Sequence, residues 1–214
     1  RRKIKGSSLM PYIAVWIRNF LFLFTLLPVV GFSGEVRDNL LVAFEKEAQT
    51  TRKQSHTKIQ SQGDTIEITL AVILPDRVHI TFTKNGLANE FFVINSTNFV
   101  KVSGIWKALP LGSEFKQNLK DSGTALKHLL QDSVGDVSII GEVAIEGKQT
   151  IHYQFQSKID QPGSELVGIS DVWIDKATNL PMKLEFNGQY AGSSYSLSQT
   201  MDYISDIRID PPIP

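Results

Sequence analysis

The chain contains no cysteine. That removes disulfides, thiolate nucleophiles, sulfur-ligated zinc and any thiol able to carry a lipid anchor, so packing and backbone pairing must hold the fold alone. A basic surplus is also missing. Lysine plus arginine and aspartate plus glutamate both number 22, but Arg1, Arg2, Lys3, Lys5 and Arg18 all stand before position 34. Residues 34–214 therefore carry 17 positive and 22 negative side chains. That balance has the wrong sign for displacing counterions from a phosphate backbone, so nucleic acid is set aside as a partner.

Catalytic motifs are absent too. Neither a GxSxG elbow nor a GxGxxG fingerprint occurs, and the nearest phosphate-loop pattern, Gly141 to Lys148, has one residue too many between its glycines. It ends in Gln149, where a hydroxyl would hold the metal, and reads better as a strand running into a turn. His56, His79, His128 and His152 are scattered. His79 and His152 fall on the polar register of their strands, which favours sheet-surface residues over metal or acid-base roles. Asp171, Asp175 and Asp202 suit turns or surface, Trp106 and Trp173 suit packing, and the sequon Asn95-Ser96-Thr97 is a triplet common by chance. No enzyme, metal site or cofactor is expected.

A long apolar run is the last absence. Phe20 to Val30 spans 11 residues, short of the roughly 20 needed to cross a bilayer. It follows basic residues and precedes Gly31-Phe32-Ser33, the grammar of a signal peptide with cleavage after Ser33. An uncleaved anchor is the competing reading, because Tyr12 to Trp16 extends the apolar character, although Arg18 interrupts it. The sequence opens on Arg1, so either the start lies upstream or Met10 initiates. Residues 1–33 are thus expected to direct export, and 34–214 to form one domain.

Within that domain, Val36, Leu40, Leu41, Phe44 and Ala48 recur at helical spacing and predict an amphipathic helix over 35–50. The period then changes to two. Ile66, Ile68, Leu70, Val72 and Leu74 alternate with Glu67, Thr69, Ala71 and Ile73; Pro75-Asp76 turns the chain, and Val78, Ile80 and Phe82 repeat the habit. Asn85-Gly86 predicts a tight hairpin, and 90–94 and 98–102 continue the meander. Between 109 and 132 a broken apolar face around Ser122-Gly123 predicts two short helices or one kinked one. Strands resume at 137–145, 150–159, 166–174, 180–186 and 195–207, with short turns that require antiparallel pairing. Asp210-Pro-Pro-Ile-Pro214 reads as a frayed tail.

The expected class is α+β: a strongly curved antiparallel sheet of about nine to eleven strands, an open half-barrel, with helices over its concave face. Two helical segments are too small to cover so wide a sheet, which predicts an apolar space between. Its expected lining on the strands is Ile68, Leu70, Val72, Val78, Ile80, Phe82, Phe92, Tyr153, Phe155, Met182, Leu184 and Phe186. Leu40, Phe44, Leu126 and Leu129 would close it from the helices. Plain core packing is the alternative for each, and alternation alone does not separate the two.

Several segments carry a resemblance. Leu74-Pro75-Asp76-Arg77-Val78-His79-Ile80, then Phe91 to Ile94, then Phe99 to Lys107 with its Gly104-Ile105-Trp106, resembles the LolA-like lipoprotein-carrier superfamily. Val172 to Pro181, Met201-Asp202-Tyr203 and Ile209-Asp210-Pro211-Pro212 look like its branch of LppX and LprG type envelope lipoproteins. The resemblance spans nearly all of 34–214 and implies a half-barrel whose cavity accepts the acyl chains of a lipid or lipoprotein. The chain departs from that branch at Ser33-Gly34, where those proteins carry a lipobox cysteine. A released or periplasmic monomer that touches the membrane surface transiently is therefore expected. An RseB-like envelope sensor binding a partner protein is the rival reading, and a hydrolase of surface lipids a distant third.

Overall fold

The computed structural model describes residues 34–212 other than 96, 103, 111–133, 162–163 and 205. Helix α1 (Glu35–Gln49) comes first and eleven strands follow. These are β1 (Arg52–Ser61), β2 (Asp64–Ile73), β3 (Arg77–Lys84), β4 (Leu87–Ile94), β5 (Thr97–Val102) and β6 (Ile105–Pro110). After residues 111–133 come β7 (Val134–Ile145), β8 (Lys148–Gln161), β9 (Ser164–Asp175), β10 (Pro181–Tyr190) and β11 (Ser193–Asp202). All belong to one open antiparallel sheet in the order β6-β5-β4-β3-β2-β1-β11-β10-β9-β8-β7. It is two meanders joined where the first strand pairs with the last.

The turns show why the strands reverse where they do. Asn85 and Gly86 both have positive φ, 49° and 82°, as a two-residue type I′ hairpin requires, and asparagine and glycine tolerate it best. Gln62-Gly63, Glu146-Gly147 and Ala191-Gly192 repeat the pair of left-handed residues. The β9–β10 turn is organised differently. Asp175 accepts hydrogen bonds from the Ala177 backbone N–H at 3.1 Å and from the Thr178 hydroxyl at 2.6 Å.

Alternation divides the sheet into two faces. On one, α1 buries Leu40, Ala43 and Phe44 against Tyr153, Phe155, Val172 and Ile174, worth roughly 1.5–3 kcal/mol for each large side chain. Beyond the helix, Ile59, Ile66, Ile68 and Ile80 pack with Leu166 and Phe186. On the opposite face, Ile209 from the C-terminal segment is buried with Ala71 and Ile94.

The open sheet of eleven strands matches the expected range and is consistent with a curved half-barrel. One helix is present among the described residues; the second helical region, 109–132, lies almost wholly outside them. Two readings need correction. Strands β1 and β6 were not predicted: Arg52–Ser61 has one strongly apolar residue, Ile59, and Ile105–Pro110 shows no clean alternation and takes Leu109 and Pro110 from the span read as helix. The last strand ends at Asp202 rather than 207. Ahead of the stretch read as a frayed tail, whose residues 213–214 lie outside the described ones, the chain is anchored: the Arg52 and Arg77 guanidinium groups donate to the carbonyls of Ile207 and Ile209 at 3.0 and 2.7 Å.

Gly168 and Gly188 stand opposite each other on β9 and β10. A Cβ on Gly168 would meet the Asn187 carbonyl oxygen, with the Phe186 ring at 2.6 Å and Gly188 Cα at 2.7 Å. Backbone cannot yield as a flexible side chain can. Gly168→Ala and Gly188→Ala are each expected to lower stability by about 2 kcal/mol or more, read from urea unfolding midpoints. A midpoint at the parent value would show that Phe186 does not press on the glycine pair.

Candidate ligand-binding face

Register assigns each side chain to a face, since directly opposed residues share one. Ile59 lies opposite Ile66 and Leu197, Ile68 opposite Phe82, Leu70 opposite Ile80, and Val72 opposite Val78. In the other meander Phe186 lies opposite Leu197 and Ser170, and Tyr153 opposite Val172. These form the face on which α1 packs, here the inner face.

Of the residues expected to line a cavity, Ile68, Val72, Val78, Ile80 and Phe186 are buried together, with Leu70 and Phe82 partly buried against them. Tyr153, Phe155, Leu40 and Phe44 meet in the second cluster, with Leu184 half-buried beside it. Met182 is buried at the irregularity between Pro181 and Lys183. Phe92 does not join them. It pairs with His79 and therefore faces the other side, because Phe91-Phe92-Val93 is a run with no alternation and its neighbours hold the inner positions. Leu126 and Leu129 lie outside the described residues.

The inner face is not uniformly apolar. Thr57 and Gln199, opposed across β1 and β11, are buried, as is Ser55, and the Ser157 and Ser170 hydroxyls pair at 2.6 Å. Near the C-terminal end of α1, Lys53 pairs with Glu47 at 2.5 Å. Among the inner-face residues left out of the expected lining are two tyrosines. Tyr190 packs against the first cluster, and Tyr195 is buried within it. The signal was available, since Tyr195, Leu197, Gln199 and Met201 keep strict alternation. Burial, then the neighbouring Tyr190, pushes the Tyr195 hydroxyl up to about 12, so it stays protonated at neutral pH.

The outer face carries Phe92, Trp106, Trp173 and the described histidines. His79 stacks on Phe92 at 4.1 Å and bonds Glu90 at 2.9 Å; His152 stacks on Trp173 at 4.4 Å and bonds Asp171 at 2.7 Å. Each pairing uses a strand, its neighbour's aromatic and a carboxylate two residues earlier. Trp106 stands edge-on to Phe92 at 5.3 Å, and the Lys183 ammonium lies 4.7 Å over the Trp173 ring. No group of three His, Asp or Glu among the described residues is placed to hold a metal. The stretch Gly141 to Lys148 runs from β7 through a turn into β8, as read.

No protein-family model matches the chain, and no curated protein sequence matches it. Solved structures do. Lipoprotein LppX of Mycobacterium tuberculosis superposes with a TM-score of 0.55 at 12% identity, covering 82% of this chain and 98% of its own. LprF of Mycobacterium bovis gives 0.56 at 13% identity over 84% and 97%. The chain has the fold of these two proteins, and the LppX and LprG type resemblance read from the sequence is upheld. The Pseudomonas aeruginosa MucA/MucB complex gives 0.40 at 14% identity, over 79% of this chain and 57% of its own, too loose a likeness to argue from.

At the foot of the sheet, burial alone would raise the Asp175 carboxyl, but the Thr178 hydroxyl and the Ala177 N–H outweigh it and hold the group below its ordinary 3.8. A depressed folded-state value means stability that is present above 3.8 and lost as the pH falls through the folded value. Thr178→Val is therefore expected to lose about 1 kcal/mol at neutral pH, a gap that closes in strong acid. Denaturation curves at both pH values check it; a gap unchanged in acid would remove Asp175 as the cause.

Proposed function

We propose that the chain is an exported carrier of a hydrophobic ligand, which binds the acyl chains of a lipid or lipoprotein on its inner face. The observation that carries this reading is a mismatch of areas. Apolar side chains line the inner face from β4 to β9, whereas α1, the one helix among the described residues, packs on Tyr153, Phe155, Val172 and Ile174. Leu70, Phe82 and Phe91 are left half-buried at the margin of the first cluster.

The binding energy needs no catalytic group. Each methylene removed from water contributes about 0.8 kcal/mol, so two acyl chains laid on a preformed apolar surface outweigh the ordering cost of association. The shared fold with LppX, a lipoprotein, supports the reading. Residues 1–33 would direct export. Ser33-Gly34 would leave the protein without a cysteine-linked lipid, free to meet a membrane surface transiently as a monomer. No described helix is long and apolar enough to cross a membrane.

Protein isolated from its native envelope should yield co-extracted lipid by mass spectrometry and take up a fluorescent acyl probe. Leu70→Trp and Phe82→Trp should lower probe affinity about tenfold while the unfolding midpoint changes little. Lipid-free protein that ignores the probe, or variants that unfold without affecting uptake, would identify the inner face as solid core.

A further inference from the structure

One polar atom of the inner face finds no partner among the described residues. Tyr195 is only 9% exposed, and its hydroxyl is buried without a hydrogen-bond partner. Phenylalanine would fill the same space without burying an unsatisfied group, and buried tyrosine hydroxyls ordinarily find partners. The surroundings give it none. Phe186 stands edge-on with ring centroids 5.9 Å apart, and Tyr190 is tilted at 6.3 Å. The Ser157 and Ser170 hydroxyls of the same face satisfy each other.

Position adds the second part of the argument. Tyr195 lies two residues into β11, beside the turns at Gln62-Gly63 and Ala191-Gly192, which are tied together by the Gln62 amide donating to the Ser193 hydroxyl at 3.1 Å. It therefore sits near one end of the strands, with Ile59, Ile66 and Phe186 of the same cluster about it. A donor at one end of an apolar surface fixes which way a chain-like ligand lies.

We infer that the Tyr195 hydroxyl donates a hydrogen bond to a neutral carbonyl oxygen, the ester or amide at the head of the acyl chain, and so sets the ligand's direction on the inner face. This rests on the carrier reading. A neutral acceptor fits because an ionised group would have to leave water for a shell of Phe186, Tyr190 and aliphatic side chains. The hydrocarbon then runs along the inner face toward Ile68 and Ile80, and any charged head group stays beyond the turns in water.

Matched glycerolipids test it, one with two ester-linked chains and one with the same chains linked by ethers, each used to displace a fluorescent acyl probe from the purified protein. The parent is expected to prefer the ester about tenfold, the worth of one buried hydrogen bond. Tyr195→Phe is expected to bind both equally, with an unfolding midpoint at or above the parent's. A parent that does not distinguish the two, or a Tyr195→Phe variant that keeps the preference, overturns the assignment and leaves the carrier intact. Failure of both lipids to displace the probe from the parent overturns the assignment and the carrier reading together.

Discussion

The pairing of β1 with β11 is the constraint on which the architecture depends. Eight residue pairs, from Gln54 with Asp202 to Ser61 with Tyr195, join the two ends of the domain. Without them the chain is two separate meanders, each with one more bare edge and half an apolar face. The join makes one sheet, and brings Ile59 beside Leu197 so that the first cluster runs unbroken from β4 to β9. Contacts so distant in sequence close late, because loop entropy must be overcome before they stabilise anything. Its inner side is polar at Ser55, Thr57 and Gln199, so β1 is held by bonding on both flanks more than by hydrophobicity.

The two faces then divide the work. The outer face is closed by the chain's own end, with Ile209 seated on Ala71 and Ile94, and by histidine-aromatic stacks that shield the strands elsewhere. The sheet's edges are β6 and β7. Along β7, Ile139, Ile140 and Val143 are exposed, a row that invites edge-to-edge pairing. Two register irregularities and the Lys176–Glu142 ion pair interrupt it, the usual means of making an edge a poor template. On the carrier reading, the inner face is the one left for a ligand.

Where local pattern and tertiary demand agree, the sequence was legible. Helix α1, the alternation of β2 and β3 and the Asn85-Gly86 turn all follow from residues in hand. Strand β1 did not, since Arg52–Ser61 is mostly polar and its conformation is imposed by β2 and β11, a case of context overriding propensity. Phe92 misled for the opposite reason: three consecutive apolar residues carry no phase, and only pairing with His79 assigns a face. Most of the expected lining does share the inner face. Tyr195 was beyond reach in a different way, because alternation places its ring inward but nothing in a sequence tells whether a hydroxyl finds a partner.

That last point bears on how the fold tolerates its own incompleteness. Among the described residues, an apolar face wider than the helix that packs on it and a buried donor without an acceptor both raise the free energy of the empty state. A ligand that covers the one and bonds the other stabilises the folded chain by mass action, in proportion to the logarithm of its concentration over Kd. On the carrier reading, the features that weaken the empty domain are the same ones that would give the loaded domain its affinity and its polarity. On the carrier reading, filling the face would stabilise the protein at the expense of binding, and replacing Tyr195 with phenylalanine would stabilise it at the expense of the ligand's direction.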